Sequence, residues 1–304
     1  MSSLPSRTDR LNGALYGSFI GDALCLAPHW IYDPEEIQSR WGQVTDYLDP
    51  STNPYHSAKT RGEFTHYGDQ AICLMQSINH VDGFSLDTFR AEWKAMWTGY
   101  AGYIDGATKS TLRNGRSDSH DLAGASRIAP LVVGLHKEEP RGILQAITEQ
   151  TALTHAHPEV VDAARFFGTL TLSLIDGSPW EDALKKASEA DYMALEPEKA
   201  LAAVDSVIEK PPAAALNTLG RACSLQDGFP ATLYFLQRFR DSLSDALIEN
   251  ANAGGDSASR GLLIGMVLGA EHGVGHLPEH WIQELQAHPL IFQWLEERGL
   301  HPEA

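Results

Sequence analysis

The chain has few cysteines, few basic residues and no long hydrophobic run. Its three cysteines, Cys25, Cys73 and Cys223, are widely spaced and odd in number, which matches neither a disulfide framework nor a zinc-binding spacing. The first residues are polar with no apolar signal-peptide core after them, and the longest strongly apolar stretch, near 262–270, is about half of what a membrane span requires. These absences predict a soluble protein of the reducing cytoplasm.

Positive charge is also scarce. The 304 residues include 23 Lys and Arg against 40 Asp and Glu, which gives a formal net charge of −17. Such a field repels phosphate backbones and anionic lipid surfaces unless a local basic patch intervenes, and the sequence contains no cluster of Lys and Arg. We therefore expect neither a nucleic-acid nor a membrane partner. A small anionic ligand stays compatible with the sequence through local Arg, His and helix N-termini.

Strand patterns are missing as well, and apolar residues recur at helical spacing instead. The segments 86–100, 160–174 and 233–247 each carry apolar residues three and four positions apart. Ser-Pro-Trp-Glu at 178–181 predicts a capping box at the start of another helix. The breaks between these segments are too short and too weakly biased to be linkers. We predict one all-α domain over 1–304.

Glycine is concentrated on one face of the first predicted helix. Gly13, Gly17 and Gly21 recur there at intervals of four residues. Glycine is costly inside a helix, so this regular spacing indicates that another backbone approaches closely. The pattern predicts a packed central helix that ends near Asp22.

A glycine-rich turn at 254–255 delivers Asp256, Ser257 and Ser259 to the start of an apolar helix. Asp and Ser oxygens accept the free N–H groups of a helix start, and the two glycines let the chain turn without a Cβ clash. The same turn can present oxygens to a cation or to the hydroxyls of a ligand. Taken alone, the segment is typical of an ordinary helix start.

Two further segments place carboxylates near predicted helix ends. Asp22 lies where the helix macrodipole is unfavourable to it, which predicts a hydrogen-bond partner or a nearby cation; a structural contact that ties down a loop is the alternative. The string Thr-His-Tyr-Gly-Asp-Gln at 65–70 is by itself a helix start with Asp69 in the first turn.

Small and polar residues cluster again in the middle of the chain. The segment 100–130 contains Gly and Ala that can fit against a flat ligand, with Tyr103 as a stacking face. At 154–158, His155 and His157 precede a helix. They could be zinc ligands, but Zn²⁺ needs further partners that only the fold can supply, so one ligand-contacting histidine in a helix-start loop is the preferred interpretation.

Taken together and in this order, these segments resemble the motifs of the ADP-ribosylglycohydrolase superfamily. The resemblance rests on 12–24, 154–158 and 254–256 and covers roughly residues 8–275. It implies the compact orthogonal multi-helix bundle of that family. His-Trp at 29–30 and Tyr-Gly-Asp-Gln at 67–70 resemble in particular the branch that includes the J-class eye-lens crystallins.

The resemblance implies a magnesium site with a reduced ligand set. Hydrolases of the family carry a Thr-Asp-Asp triplet where this chain keeps only Asp69, and two aspartates with a threonine where it keeps Asp256 and Ser259. A small divalent ion needs several oxygen ligands, and anionic ones provide most of the affinity. We therefore expect one Mg²⁺ ion, held by these three residues, or none; two ions are disfavoured.

The family's activity implies hydrolysis of a glycosidic bond in an ADP-ribosyl or related ribosyl compound, either a small molecule or an ADP-ribosylated substrate. The oxocarbenium-like transition state needs negative charge near the anomeric carbon and a base for water. We assign these roles to Asp69 and Asp256, with Asp121 and His29 as further acid or base candidates. The candidate substrate contacts are Asp22, Tyr103, Asp105, Gly106, His155, Gly255 and Ser257.

Two other functions fit the altered motifs. The first is hydrolysis of a different nucleoside-like or amide substrate by the rebuilt pocket. The second is a non-catalytic, crystallin-like structural or binding protein, which the lost metal ligands favour. The aspartates and the histidine that remain at motif positions favour an enzyme. These residues are Asp22, Asp69, Asp121, His155 and Asp256.

Overall fold

The computed structural model describes residues 4–81 and 83–300, so the ends of the predicted 1–304 domain lie outside the described residues. Helices joined by loops make up this part of the chain, which contains two isolated β-bridges and no strand. The all-α prediction is confirmed. The helices are α1 (Arg7–Cys25), α2 (Pro34–Trp41), α3 (His66–Val81), α4 (Leu86–Met96), α5 (Gly106–Asn114), α6 (Ala123–Ser126), α7 (Ala129–Gly134), α8 (Pro140–Thr154), α9 (Pro158–Ile175), α10 (Trp180–Ser188), α11 (Pro197–Asp205), α12 (Pro212–Leu219), α13 (Leu225–Arg238), α14 (Leu243–Asn252), α15 (Ser257–His272), α16 (Glu279–Glu284) and α17 (His288–Glu297), with a 3-10 turn at Val274–His276.

The centre of the fold is the antiparallel pair α1 and α15. Each glycine of the predicted stripe faces a glycine of α15 so closely that a Cβ atom at Gly17 would lie 2.2 Å from the carbonyl oxygen of Gly265. The two backbones can touch only because neither helix has side chains along this seam. The predicted close approach is confirmed. The facing pairs are Gly13 with Gly269, Gly17 with Gly265, and Gly21 with Gly261.

The apolar repeat at 233–247 spans two helices. Helix α13 ends at Arg238, and α14 begins at Leu243 after Ser242, whose hydroxyl accepts a hydrogen bond from the backbone N–H of Asp245. Both helices direct apolar residues into the same core, so the spacing continues across the turn. An apolar repeat therefore did not establish an unbroken helix here.

The predicted capping box at 178–181 is wrong. Helix α10 begins at Trp180 with Pro179 as its N-cap, and no side chain among the described residues caps it. The reason is that Ser178 belongs to the preceding turn, where its N–H donates to the carbonyl oxygen of Ser173. Proline at the N-cap has no side-chain acceptor to offer in its place.

A single hydrophobic core extends from Leu11 on α1 to Leu300 and takes residues from most of the helices. A smaller buried cluster, which includes Cys25, Tyr67 and Ala258, lies beside it. The one-domain organisation remains a prediction. In the part of the chain that the structure describes, no helix is both long and apolar enough to cross a bilayer.

Loops at the ends of α1 and α15 converge to build one site. The N–H of Trp30 donates to the carbonyl oxygen of Gly255, and the N–H of Gly255 donates to that of Ile31. The side chain of Asn53 donates to the carbonyl oxygens of Ala27 and His29 at 2.9 Å each. The loop after α1 is therefore fixed both to the turn before α15 and to the segment 49–62.

Candidate active site

Asp256 lies at the start of α15 and is almost completely buried, with 1% of its surface exposed. Its Oδ2 accepts a hydrogen bond from the Ser259 hydroxyl at 2.7 Å, while its side chain makes no cap hydrogen bond to the helix. Oδ1 accepts no hydrogen bond from any described residue and lies 3.6 Å from His29 Nδ1. A buried carboxylate oxygen without a donor is costly, which is typical of a group reserved for a ligand or a reaction.

The charge state of Asp256 is set by burial. Burial raises the pKa of this carboxyl to about 6, against the opposing effects of the Ser259 hydrogen bond and the Arg260 guanidinium. Arg260 is itself buried and donates to Asn250 Oδ1 and to the carbonyl oxygen of Gly254. Near neutral pH, Asp256 can therefore both hold and release a proton, which is what a general acid or base requires.

Three histidines from separate segments lie close together here, and one of them, His29, contacts this carboxylate. The ring centroid of His29 lies 5.3 Å from that of His56 and 6.4 Å from that of His66. Burial, reinforced by the neighbouring histidines, lowers the pKa of His29 well below its usual value and that of His56 to about 3. Their Nε2 atoms are buried and have no hydrogen-bond partner within 4–81 and 83–300. Neutral imidazoles with free nitrogens thus face the site.

Aromatic side chains line the same space. The Trp30 ring makes edge contacts with Tyr55 and Tyr103, each at a centroid distance of 4.9 Å, and stacks on His29 at 4.4 Å. Trp30 has a φ of 63°, a left-handed conformation that a bulky residue adopts only when its surroundings impose it. The predicted stacking residue Tyr103 is therefore one member of an aromatic group.

Asp105 and Gly106 begin α5 beside these rings. Asp105 Oδ1 caps the helix by accepting from Thr108 N–H at 2.6 Å, and Oδ2 lies 3.2 Å from His66 Nε2. Burial raises the pKa of Asp105, but the His66 contact and the helix cap together bring it below its usual value. Gly106 is exposed, and a Cβ there would have no described atom within 4 Å. Glycine at position 106 therefore leaves open space at the edge of the site.

His155 is fully enclosed at the end of α8. Its Nδ1 lies 2.9 Å from the Thr154 hydroxyl oxygen, which also accepts from Arg127. Burial lowers the pKa of His155 to about 3, and the Arg127 charge adds to the effect. Gly124 packs against the imidazole so closely that a Cβ atom there would lie 2.4 Å from His155 Cβ. His155 is thus a neutral, rigidly held histidine on the Asp105 side of the site.

Asp121 lies in the loop before α6. Its Oδ2 accepts from the Ser119 hydroxyl at 2.9 Å, and its negative charge contributes to the raised pKa of Asp256. Backbone hydrogen bonds from Leu122 to Cys223 and from Leu225 to His120 fix this loop. Asp121 is therefore a second carboxylate whose charge reaches Asp256.

Asp22 is used for a structural contact. Its two oxygens accept from the N–H and the hydroxyl of Thr65, each at 2.7 Å, so the predicted hydrogen-bond partner is confirmed. Burial raises the pKa of Asp22 to about 7. The contact joins the end of α1 to the start of α3 and occupies both oxygens. A substrate contact by Asp22 stays a prediction.

The substitution Asp22→Asn should make stability less dependent on pH. Burial raises the pKa of Asp22 from its usual 3.8 to about 7, so the folded state binds this proton more tightly than the unfolded state does. The resulting stabilisation is complete below pH 4 and is lost as pH rises through 7. The free energy of unfolding of the wild type should therefore fall relative to that of Asp22→Asn between pH 5 and pH 8 in urea titrations. A constant difference between the two proteins would contradict the raised pKa.

Asp69 is held by a lysine from the segment 49–62. The Lys59 ammonium donates to Asp69 Oδ2 at 2.6 Å, and the Tyr100 hydroxyl donates to the same oxygen. Burial raises the pKa of Asp69, and the Lys59 charge opposes this. A protein cation thus already contacts one of the two carboxylate oxygens of Asp69. Asp69 and Asp256 have different hydrogen-bond partners.

The ligand set does not fit a two-ion magnesium centre. Within the described ranges, one group of three or more His, Cys, Asp or Glu ligand atoms lies close enough together to share an ion, and it contains His120, His157 and Glu159. Asp69 and Asp256 are not in it. Each of them also has an oxygen engaged by a protein donor, which leaves few anionic oxygens for a small divalent ion.

The other residues of the final motif have structural contacts of their own, and substrate contacts by Gly255 and Ser257 stay predictions. Gly255 has a φ of 78°, and a Cβ there would lie 2.1 Å from the carbonyl oxygen of Arg221, so packing alone requires glycine. Ser257 is buried next to the Cys25 thiol. Ser259 donates to Asp256 and fixes its orientation.

The sequence did not single out several residues of this site, namely Tyr55, His56, Lys59 and Arg260. The first three lie in 49–62, whose turn-rich composition indicates only a break between helices. The available signal was that Tyr, His and Lys occur close together after Pro50 and Pro54 and before the start of α3. Arg260 lies three residues after the Gly-Gly-Asp-Ser string at 254–257, and a charged residue just ahead of an apolar run predicts a buried ion partner.

A family model described as ADP-ribosylglycohydrolase matches residues 3–302, almost the whole chain. The chain belongs to the ADP-ribosylglycohydrolase family. A solved structure titled "ADP-ribosylglycohydrolase-related protein complex" has the same fold, with a TM-score of 0.75 and 21% sequence identity over 95% of this chain and 96% of that one. The predicted family and its helical bundle are thereby confirmed.

Relatives of this ADP-ribosylglycohydrolase family member include proteins named for two different roles. Crystallin J1A of Tripedalia cystophora is 22% identical over 95% of this chain and 96% of its own length. The ADP-ribosylarginine hydrolase Tri1 of Serratia proteamaculans is 24% identical over 91% of this chain and 75% of its own length. The similarity to the crystallins agrees with the predicted branch.

Proposed function

We propose that this ADP-ribosylglycohydrolase-family protein hydrolyses the glycosidic bond of an ADP-ribosyl or related ribosyl compound. The observation that carries the proposal is Asp256, a buried carboxylate with one oxygen free of hydrogen bonds. It lies beside a neutral histidine, under a group of aromatic rings. The name of the Serratia relative supports an ADP-ribosyl substrate.

In this proposal Asp256 activates the attacking water. Water attacks the anomeric carbon, its proton passes to Asp256, and the bond to the leaving group breaks with the electron pair going to that group. A pKa of about 6 keeps Asp256 mostly ionised near pH 7, and its charge also stabilises the oxocarbenium-like transition state. The Ser259 hydroxyl orients the carboxylate, and the Arg260 charge favours its ionised form.

The leaving group needs a proton, and we assign its delivery to Asp121, which must carry that proton when the bond breaks and recover one from solvent afterwards. Asp121 is less enclosed than Asp256, so its carboxyl can exchange protons with water. His29 is a poorer acid because burial keeps its imidazole neutral. Its Nε2 has no hydrogen-bond partner among the described residues and can form a hydrogen bond with a ribose hydroxyl. The rings of Trp30 and Tyr103 suit the flat base or the sugar faces of the substrate.

We further propose that catalysis here does not depend on bound Mg²⁺. The Lys59 ammonium is the cation that neutralises Asp69, so this motif position needs no metal for charge balance. The remaining hard ligands, Asp256 and Ser259, are hydrogen-bonded to each other. Of the two expectations, one Mg²⁺ ion or none, the Lys59–Asp69 pair thus supports none.

The Lys59–Asp69 pair also favours a second candidate. If the pair replaces the metal only to preserve the fold, the protein is a non-catalytic, crystallin-like binding or structural protein, a role that the name of the Tripedalia relative represents. A nucleoside-like or amide substrate remains the third candidate, because the same carboxylates could serve it. Binding and turnover experiments separate these three functions.

Melting experiments with ADP-ribose test the proposed binding site. A ligand that binds only the folded state raises the melting temperature. At a ligand concentration about 100 times the dissociation constant, the free energy of unfolding increases by about 2.7 kcal/mol. We expect such an increase for the wild type, equal with and without Mg²⁺, and its loss in Asp256→Ala. The exposed Asp87→Ala variant is the matched control and should respond like the wild type. No increase under either condition would favour the altered-substrate or non-catalytic function.

A further inference from the structure

We propose that His120, His157 and Glu159 form a zinc-binding site separate from the carboxylates of the active site. One ring nitrogen of each histidine and one oxygen of Glu159 lie within 4.8 Å of one another. The two imidazole centroids are 4.2 Å apart, and His120 Nε2 lies 2.5 Å from Glu159 Oε2. Three potential ligands from two segments of the chain therefore converge on one point.

The backbone holds each ligand in place. His120 lies in the loop before α6, where its carbonyl oxygen accepts from the N–H of Leu225. His157 is the N-cap of α9, and Glu159 lies in the first turn of the same helix. His157 and Glu159 are thus carried by a rigid helix start, and His120 by a loop that α13 anchors. Little rearrangement is needed to close the three side chains on an ion.

The chemistry of this cluster suits Zn²⁺. Two imidazoles and one carboxylate make up a common protein ligand set for zinc, in which the fourth position is left to water. Mg²⁺ and Ca²⁺ prefer oxygen ligands and are poorly served by two nitrogens. The side chains of His120 and Glu159 are 29% and 33% exposed, which gives an ion a path from solvent.

His157 supplies the observation that a simple ion pair does not explain. A hydrogen bond between His120 and Glu159 accounts for the contact of those two residues only. Yet the Nδ1 atom of His157 is buried beside them and has no hydrogen-bond partner among the described atoms. An unsatisfied buried ring nitrogen is costly, and a metal ion in the cluster would explain why a third ligand is there.

The site would tie together two segments that flank the active site. Asp118, two residues before His120, forms an isolated β-bridge with His155, and Asp121 follows His120 directly. A zinc ion would therefore fix the loop that carries Asp121 onto the start of α9. The fold supplies His120 and Glu159 as partners for His157, while His155 faces Asp105 and takes no part.

Zinc titration of the metal-free protein, in competition with a chromophoric chelator, tests the proposal. We expect one equivalent of Zn²⁺ to bind, and His120→Ala and His157→Ala to weaken binding by at least about tenfold. Glu159→Gln keeps the size of the side chain and should weaken binding as well. The matched control is His80→Ala, because His80 also contacts a glutamate, Glu92, at 2.7 Å but belongs to no three-ligand group among the described residues.

Circular dichroism of each metal-free variant shows whether it has folded. If a histidine variant does not fold, Glu159→Gln provides the test. Absence of zinc binding by the wild type would overturn the proposal. So would binding that survives in Glu159→Gln and in the folded histidine variants at wild-type strength. The readout is zinc affinity, so neither result depends on whether the protein hydrolyses a ribosyl compound.

Discussion

Replacing Gly265 by alanine is expected to lower the free energy of unfolding by about 3 kcal/mol or more. The added Cβ would lie 1.8 Å from the carbonyl oxygen of Gly17 and 2.3 Å from its carbonyl carbon. Both are backbone atoms, so no change of rotamer can relieve the overlap, and α1 and α15 must separate. Because this pair forms the centre of the core, the separation would loosen every helix packed on it. The gain in helix propensity of about 1 kcal/mol is too small to compensate.

Urea or thermal unfolding of the variant measures the effect, and Gly17→Ala should behave similarly because its Cβ would lie 2.2 Å from the Gly265 carbonyl oxygen. Gly275→Ala is the matched control. It adds the same methyl group where no described atom lies within 4 Å, so its stability should stay close to that of the wild type. Equal stabilities of Gly265→Ala and Gly275→Ala would show that the two helices do not touch through backbone atoms.

The glycine stripe shows what the sequence could predict about the fold. Spacing of four on one helix face has one strong physical cause, close backbone approach, so Gly13, Gly17 and Gly21 predicted a central packed helix. What the spacing could not identify was the partner, α15, which lies more than 200 residues further along the chain. Local chain breaks were harder to predict, since 233–247 keeps an apolar repeat across a turn.

Candidate site residues could be selected where they lie in motifs that resemble those of the family. Asp256 was selected in this way, and the structure buries it 3.6 Å from His29, while its catalytic role stays a prediction. Lys59 was not predictable, because its role comes from a tertiary contact with Asp69, ten residues away across a loop. The cluster of His120 and Glu159 with His157 was not predictable either, because it depends on how the loop before α6 packs against the start of α9.

The substitution Asp256→Asn should lower turnover of the true substrate by at least about 100-fold while the protein stays folded. Asparagine cannot take a proton from water and removes the negative charge that stabilises the oxocarbenium-like transition state. The fold should survive because the amide oxygen can still accept the Ser259 hydroxyl hydrogen bond. Burial of an ionised carboxylate is also avoided, so stability near neutral pH should not fall.

Matched variants separate a chemical role from a structural one. Ser259→Ala removes the donor that orients Asp256 but leaves the carboxylate, so we expect a smaller loss of turnover than in Asp256→Asn. Asp69→Asn tests the other predicted catalytic carboxylate. If Asp69 mainly balances the Lys59 charge, its variant should lose stability more than it loses turnover. Unaltered turnover in Asp256→Asn would remove this residue from the mechanism.

Release of free ADP-ribose from ADP-ribosylated arginine and from other N- and O-linked ADP-ribosyl compounds, followed by mass spectrometry, tests the central claim most directly. The account predicts that the wild type releases ADP-ribose from at least one of these compounds, at the same rate with and without Mg²⁺, and that Asp256→Asn releases almost none. Equal release by the two proteins, or no release by the wild type from any compound, would contradict it.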